Sequence, residues 1–482
     1  MDHIEEVPVG VLEPRRFREV ISEESFTRFE QKIEQARSML EGRVIWNVNS
    51  TALGGGVAEM LRSLLAYARG AGVDARWVVI NGWGDFFRVT KRIHNNLHGA
   101  EGDGGDLGPS EAAIYEEVAR ANGEELVSLV RPGDFAIVHD PQPAGLCRAL
   151  KDAGVHVMWR CHVGLDHPNE IARRAWNFLL GYVEPAEAFI FSRKTFAWEG
   201  LPEDRIVVIP PSIDAFSPKN QELSVDTVLA ILDQAGVVPA DTDGSAATFV
   251  REDGTPGRVD RRAQMFELAP TPIDADIVVQ VSRWDRLKDP LGVIKGFADD
   301  TAVNTDAHLI VAGPAVERVA DDPEGAEVLE EARVAWEGLP SGPKQRIHLA
   351  ALPMDDGEEN AAIVNALQRR ALVIVQKSLA EGFGLTVTEG QWKAKPLVAS
   401  RIGGIQDQVV DGVTGVLLDD PRDLATYGHA VTSLVQDPER ARNMGEQAKE
   451  RVRAEFLGPR HLIQYVDLLA SLNASSSTRK AR

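Results

Sequence analysis

The stretch Leu372-Val-Ile-Val375, running through Lys377 and Ser378 into Glu381-Gly-Phe-Gly-Leu-Thr-Val-Thr-Glu389, decides how this 482-residue chain is read. An apolar β-rich run leads into glycines and then into a helical pattern, the repeating element of a parallel sheet covered by helices. Glu381 and Glu389 stand eight positions apart, which on one uninterrupted helix leaves about 80° of residual rotation and a poorly shared face. With Gly382 and Gly384 in a loop and the helix starting near Leu385, Glu389 points from the first turns and Glu381 from the loop. Carboxylates so placed hold sugar and ribose hydroxyls, while bare N–H groups and a helix N-terminus hold a phosphate. The combination points to a nucleotide-sugar enzyme. A surface helix with two solvated acids would leave the intervening glycines unexplained.

Similar strands recur in two series. The first comprises Val44–Val48, Trp77–Ile80, Phe135–Val138, Val155–Trp159 and Phe189–Phe191. The second comprises Ile277–Val281, His308–Ala312, Ile347–Leu349, Leu372–Val375, Leu397–Ala399 and Gly415–Leu418. Strands alternating with helical patterns predict an α/β protein of two Rossmann-like parallel sheets facing each other across a cleft, with ligands beyond the carboxyl ends of the strands. The expected N-terminal domain spans 1–215, joined by a C-terminal helix at about 460–475 whose stripe of Leu462, Val466 and Leu469 needs a docking surface. The expected C-terminal domain spans 216–459, with a helix near Glu222–Gln234. The segment 237–274, rich in Asp, Gly, Pro and Arg and without periodicity, reads as an exposed inserted loop, and the Ser475–Thr478 region as a frayed end.

A net charge of -21 gives no encouragement to polyanion binding, so nucleic acid is not an expected partner and any phosphate site must be built locally. Two cysteines, Cys147 and Cys161, are too few for a disulfide framework and lack zinc-site spacing, which suits a reducing cytoplasm. No stretch approaches the ~18 consecutive apolar residues of a membrane span, so no membrane association is expected. The sequence leaves a homodimer open.

In the first half, strand Val44–Val48 runs into Gly54-Gly55-Gly56 and a helical pattern. Such a turn lets backbone approach a ligand, or is simply tight. Asp140 and Gln142, in Val138-His-Asp-Pro-Gln-Pro143, lie at a strand's carboxyl end, where acceptor hydroxyls could be held; the prolines equally explain a rigid loop. Trp159-Arg160-Cys161-His162 ends another strand; a lone histidine is more often structural than functional, and the strand-end position of His162 improves the odds of a ligand role. In the second half, Arg283 and Lys288 sit five apart across a turn and can converge on a pyrophosphate, or form a solvated basic turn.

In this order the pieces resemble the retaining glycosyltransferases of the GT-B fold, family 4. Several stretches look closer still to trehalose glycosyltransferring synthases and the related retaining trehalose phosphorylases: Val48-Asn-Ser-Thr51, Gly54–Glu59, Phe86-Phe87 with Val89-Thr-Lys91, Val138–Pro143, Trp159–His162, Pro210–Asp214 and Glu381–Glu389. The resemblance implies an enzyme that transfers glucose with retention of configuration through an oxocarbenium-like transition state, the leaving phosphate oxygen accepting the acceptor's proton. It implies catalytic roles for Glu381, Arg283, Lys288 and His162. Donor contacts fall to Gly55, Gly56, Phe383, Gly384, Leu385, Thr386 and Glu389, and acceptor contacts to Asp140, Gln142 and Arg160. No cofactor or metal is implied beyond a nucleoside diphosphate glucose donor. The products would be α,α-trehalose and a nucleoside diphosphate; a phosphorylase using inorganic phosphate, another acceptor, and a non-catalytic sugar-binding protein are the competing readings.

Overall fold

The structure, a computed structural model, describes residues 4–52, 55–242, 244–316 and 323–480. The chain divides into two units, Met1–Ser212 with Phe456–Arg482, and Ile213–Glu455.

The first unit is built on seven strands: β1 (Ile4–Val7), β2 (Val44–Asn49), β3 (Asp74–Ile80), β4 (Phe135–His139), β5 (His156–Cys161), β6 (Ala188–Phe191) and β7 (Ile206–Val208). They lie in the order β1-β3-β2-β4-β5-β6-β7, parallel except for β1, which runs antiparallel along the β3 edge. All six residues of β2 and all five of β4 are buried, as a sheet covered on both faces requires. Helix α1 (Glu23–Met39) begins at Ser22, whose hydroxyl accepts from the Ser25 N–H at 3.2 Å. The C-terminal helix Gly458–Lys480 packs on α1 and on the underside of this sheet through Leu468, Leu469 and Val466, next to Ile45, Phe135 and Met158. It continues to Lys480, past the end expected from the serine run.

In the second unit, β8 (Thr248–Val250) and β9 (Pro256–Arg258) form a small hairpin. The main sheet has β10 (Gln264–Phe266), β11 (Ile277–Val281), β12 (His308–Pro314), β13 (Ile347–Leu352), β14 (Val373–Gln376), β15 (Leu397–Ser400) and β16 (Gly415–Leu418), in the order β10-β13-β12-β11-β14-β15-β16. Without the antiparallel β10, this is the doubly wound Rossmann order, whose reversal point lies between β11 and β14.

The segment 237–274 corrects the expectation of an exposed loop. Val237, Val238, Ala247, Phe249 and Val259 are buried in the core, and β10 extends the main sheet along β13. The N–H groups of Asp260 and Arg261 both donate to Glu359 Oε1 at 2.7 Å, and Arg251 grips Asp356 and Glu358 at 2.6 Å each. Its strands are three residues long, too short for alternation to show in sequence, and the acids that anchor it lie about a hundred residues further along the chain.

Candidate active site

At the reversal point of the second sheet, the loops after β11 and β14 meet. Lys288 Nζ donates to Glu381 Oε2 at 2.6 Å, and both side chains are mostly enclosed, 16% and 12% exposed. Two backbone ties hold the loops in register: Gln280 Nε2 donates to Lys288 O at 2.8 Å, and the Leu379 N–H to Leu287 O at 2.7 Å. Glu381 is followed by Gly384, whose φ of +82° starts helix Leu385–Trp392 from the left-handed region. Gly384 at the N-cap offers no side chain to the first N–H groups of that helix, the groups that suit an anion or hydroxyl. The loop after β15 presses from beneath: a Cβ on Gly403 would stand 1.9 Å from Glu381 O. Gln408 completes the support by donating to Phe383 O at 2.5 Å and accepting from the Thr388 hydroxyl.

Directly below lies a second ion pair. Lys377, fully buried, bonds Asp289, donates to Pro421 O at 2.6 Å and has its ammonium 5.9 Å from the Tyr427 ring centroid. Asp289 is left-handed at φ +49° and accepts from the Gly292 N–H at 3.1 Å. Asp289 adjoins Lys288 and Lys377 lies four residues before Glu381, so the Lys377–Asp289 pair fastens both arms of the Lys288–Glu381 pair.

Of the other residues singled out in this half, Arg283 is 67% exposed and paired with Asp285 at 3.1 Å, so Arg283 and Lys288 each rest on their own carboxylate. Phe383 is buried, Leu385 is partly exposed, and the Thr386 hydroxyl donates to Gln376 Oε1 at 3.1 Å. Glu389 is 3% exposed with Lys219 Nζ at 3.6 Å, while Lys393 donates to its backbone carbonyl at 3.2 Å and to Asn220 Oδ1 at 3.0 Å. Burial pulls the Lys393 ammonium down to about 7.

In the first unit the carboxyl ends of β2, β4 and β5 carry a polar network. His139, the last residue of β4, lies 3.1 Å through Nδ1 from His162 Nε2 and 3.1 Å through Nε2 from Asn47 Oδ1. Asp140 adopts φ +67°; its N–H donates to Arg160 O at 2.7 Å, and its Oδ1 accepts the His162 N–H at 2.8 Å. Burial raises the Asp140 carboxyl to about 6 against the opposing pull of that N–H and of Arg160. Gln142 is partly exposed on the same loop. Gly55, at φ +79°, and Gly56 open helix α2 (Gly55–Gly70) and are exposed; Gly54 lies outside the described residues.

Arg160 is a correction. Expected at the acceptor, it is fully buried, bonded to Tyr465, to His461 Nε2 at 2.9 Å and to Ile209 O at 3.1 Å. Its role is to clamp the C-terminal helix to the sheet. Among the described residues, no group of three or more His, Cys, Asp or Glu side chains is placed to hold a metal ion, and no helix is long and apolar enough to cross a membrane.

Residues 47–198 match the family model of the trehalose synthase N-terminal domain, and residues 357–451 that of glycosyl transferases group 1. A trehalose synthase of Pyrococcus horikoshii is 34% identical over 98% of this chain and 99% of its own length. The chain belongs to the trehalose synthase family. A trehalose phosphorylase of Pleurotus pulmonarius is more distant, 24% identical over 84% of this chain and 54% of its own length. An α,α-trehalose-phosphate synthase (UDP-forming) of Burkholderia vietnamiensis matches in fold with a TM-score of 0.65, over 90% of this chain and 98% of that one at 15% identity. The trehalose synthase family member described here is therefore a glycosyltransferase of the GT-B class.

Sequence reasoning missed three features of this family member: Lys377, Asn47 as the partner of His139, and the close-packed Gly403-Gly404. Gly403-Gly404 carried a signal, two adjacent glycines following a strand. Lys377 and Asn47 carried none, because their partners are remote in sequence.

Proposed function

We propose that this protein transfers glucose from a nucleoside diphosphate glucose to free glucose, with retention at C1, to give α,α-trehalose, and that it runs the reaction reversibly. The observation that carries the reading is the Lys288–Glu381 pair beside the uncapped start of helix Leu385–Trp392, in a member of the trehalose synthase family. Lys288, with Arg283, takes the donor diphosphate and offsets the charge that develops as it leaves; the helix N-terminus adds to this. Glu381, released from Lys288 by the diphosphate, takes hydroxyls of the transferred glucose, and Glu389 takes the ribose.

The C1–O bond to the diphosphate breaks, and a bond forms from C1 to the acceptor oxygen. The acceptor's proton passes to the departing phosphate oxygen, so no protein nucleophile is required. Asp140, Gln142 and His162 are sugar-binding groups in this reading. No metal enters it, since the Lys and Arg cations supply the positive charge.

Incubation with trehalose and a panel of nucleoside diphosphates, or with inorganic phosphate, tests the proposal. Glucose release that needs a nucleoside diphosphate and yields the nucleotide sugar is expected. Glucose 1-phosphate formed from trehalose and phosphate alone would overturn it in favour of a phosphorylase.

A further inference from the structure

Asn47, His139 and His162 form a chain of hydrogen bonds crossing the carboxyl ends of three adjacent parallel strands, β2, β4 and β5. Asn47 and His139 are buried, whereas His162 is partly exposed. The two imidazoles lie nearly parallel, 12° apart, with centroids 5.4 Å apart. No hydrogen bond from His162 Nδ1 to a protein group occurs among the described residues.

A contact between two imidazole nitrogens needs one donor and one acceptor. Burial, reinforced by the nearby Arg160 cation, disfavours charge on either ring, and no carboxylate is bonded to either one. Each ring therefore carries one N–H, and the direction of the chain is set at its buried end. Asn47 turns its carbonyl oxygen to His139 Nε2, while its own Nδ2 is buried with no hydrogen-bond partner among the described residues. A carbonyl only accepts, so His139 carries its proton on Nε2 and leaves Nδ1 as an acceptor. His162 must then donate from Nε2, which leaves its Nδ1 with a lone pair.

We infer that Asn47 and His139 are positioning residues that fix His162 as the Nε2–H tautomer, so that His162 presents an unprotonated Nδ1 that accepts a hydrogen bond from a sugar hydroxyl. A ring nitrogen locked as acceptor rejects ligands that bring only a lone pair to that point, because two acceptors then face each other at an enclosed site. The ligand half of this inference rests on the proposed sugar-binding role of His162. The tautomer half is a property of the resting protein.

Nitrogen-15 NMR of the full chain, labelled at histidine and assigned by comparison with H162N and H139N variants, reads the tautomer directly. The expected result is a neutral His162 with the proton on Nε2 and an unprotonated Nδ1. A proton on Nδ1, or an imidazolium near neutral pH, overturns the inference. In Asn47→Leu, His139 loses its acceptor and its proton is better used on Nδ1, so the His162 population should shift toward Nδ1–H; an unchanged tautomer removes Asn47 from the role. In the trehalose assay, Asn47→Leu should raise KM for the sugar roughly tenfold with kcat within about threefold, a loss typical of one hydrogen bond to an enclosed group. A fall in kcat alone contradicts a positioning role in binding. If the protein shows no trehalose chemistry at all, the proposed function fails while the NMR result still decides the tautomer.

Discussion

The two units carry their polar groups on the same edge of the same kind of sheet, yet the chemistry differs. In the second unit that edge is ionic: Lys288 on Glu381, Lys377 on Asp289 and Lys219 near Glu389. In the first it is less ionic, with two histidines held neutral, an asparagine, and a single carboxyl, Asp140, raised to about 6. A diphosphate brings charge and needs mobile cations that can exchange a carboxylate for it; a sugar brings only hydroxyls and needs donors and acceptors of fixed direction. The sheet supplies the edge, and the residues placed on it decide which ligand it suits.

The largest break in this comparison comes from Lys377→Met. The change removes the ammonium from a fully buried site and leaves the Asp289 carboxylate with the Gly292 N–H as its remaining bond. Breaking one side of a fully buried pair costs about 3 kcal/mol or more; with Asp289 20% exposed the cost is smaller, and the urea midpoint of the variant should still fall. Lys288 and Glu381 lose their common anchor, and kcat/KM should fall with it. A variant as stable as the parent would show that the pair is not needed to fasten the two loops.

Asp140→Asn probes the less ionic edge. Burial holds Asp140 at about 6, so the folded protein binds its proton more tightly than the unfolded chain, where an aspartate titrates near 3.8. The stabilisation from the protonated acid is complete below about pH 4 and is lost as pH rises through about 6. Asparagine tolerates the left-handed backbone and does not titrate. Relative to D140N, the parent should therefore lose up to about 2 kcal/mol between pH 4 and pH 7, a ceiling set below the full shift because the residue is partly exposed. Urea midpoints across that range measure it. A parent that gains on D140N as pH rises would mean that the fold favours the ionised carboxylate and that burial does not dominate at Asp140.

How much of this was legible in sequence follows from the range of the interactions. The run from β14 through Glu381 to Glu389 declares itself locally, since strand, glycine loop and helix need no distant partner to be recognised, and the structure starts the helix at Leu385. Segment 237–274 does not, because its order depends on Glu359 and Asp356, far along the chain. Arg160 was misread for the same reason. A cation at the carboxyl end of a strand looks poised for a ligand, but its partner His461 is 301 residues away and takes it into the core. Asn47 looks like an ordinary strand residue until β4 brings His139 beside it.

The smallest effect on stability, and the sharpest on the ionic edge, belongs to Arg283→Ala. The side chain is 67% exposed and its bond to Asp285 Oδ2 at 3.1 Å is a surface pair, worth under about 0.5 kcal/mol. The turn does not need it: the other oxygen of Asp285 accepts the Leu287 N–H at 2.8 Å whether or not Arg283 is present. The variant should unfold at the parent's midpoint. If Arg283 joins Lys288 on the donor, KM for the nucleoside diphosphate should still rise by about tenfold, and more steeply at low salt, where an exposed cation is least screened. Unchanged kinetics would leave Lys288 and the helix start as the whole diphosphate site. The distinction is physical: Lys288 must give up a carboxylate within an enclosed pair to meet the donor, whereas Arg283 gives up little more than water, so of the two cations Arg283 can meet an incoming diphosphate at the lower cost.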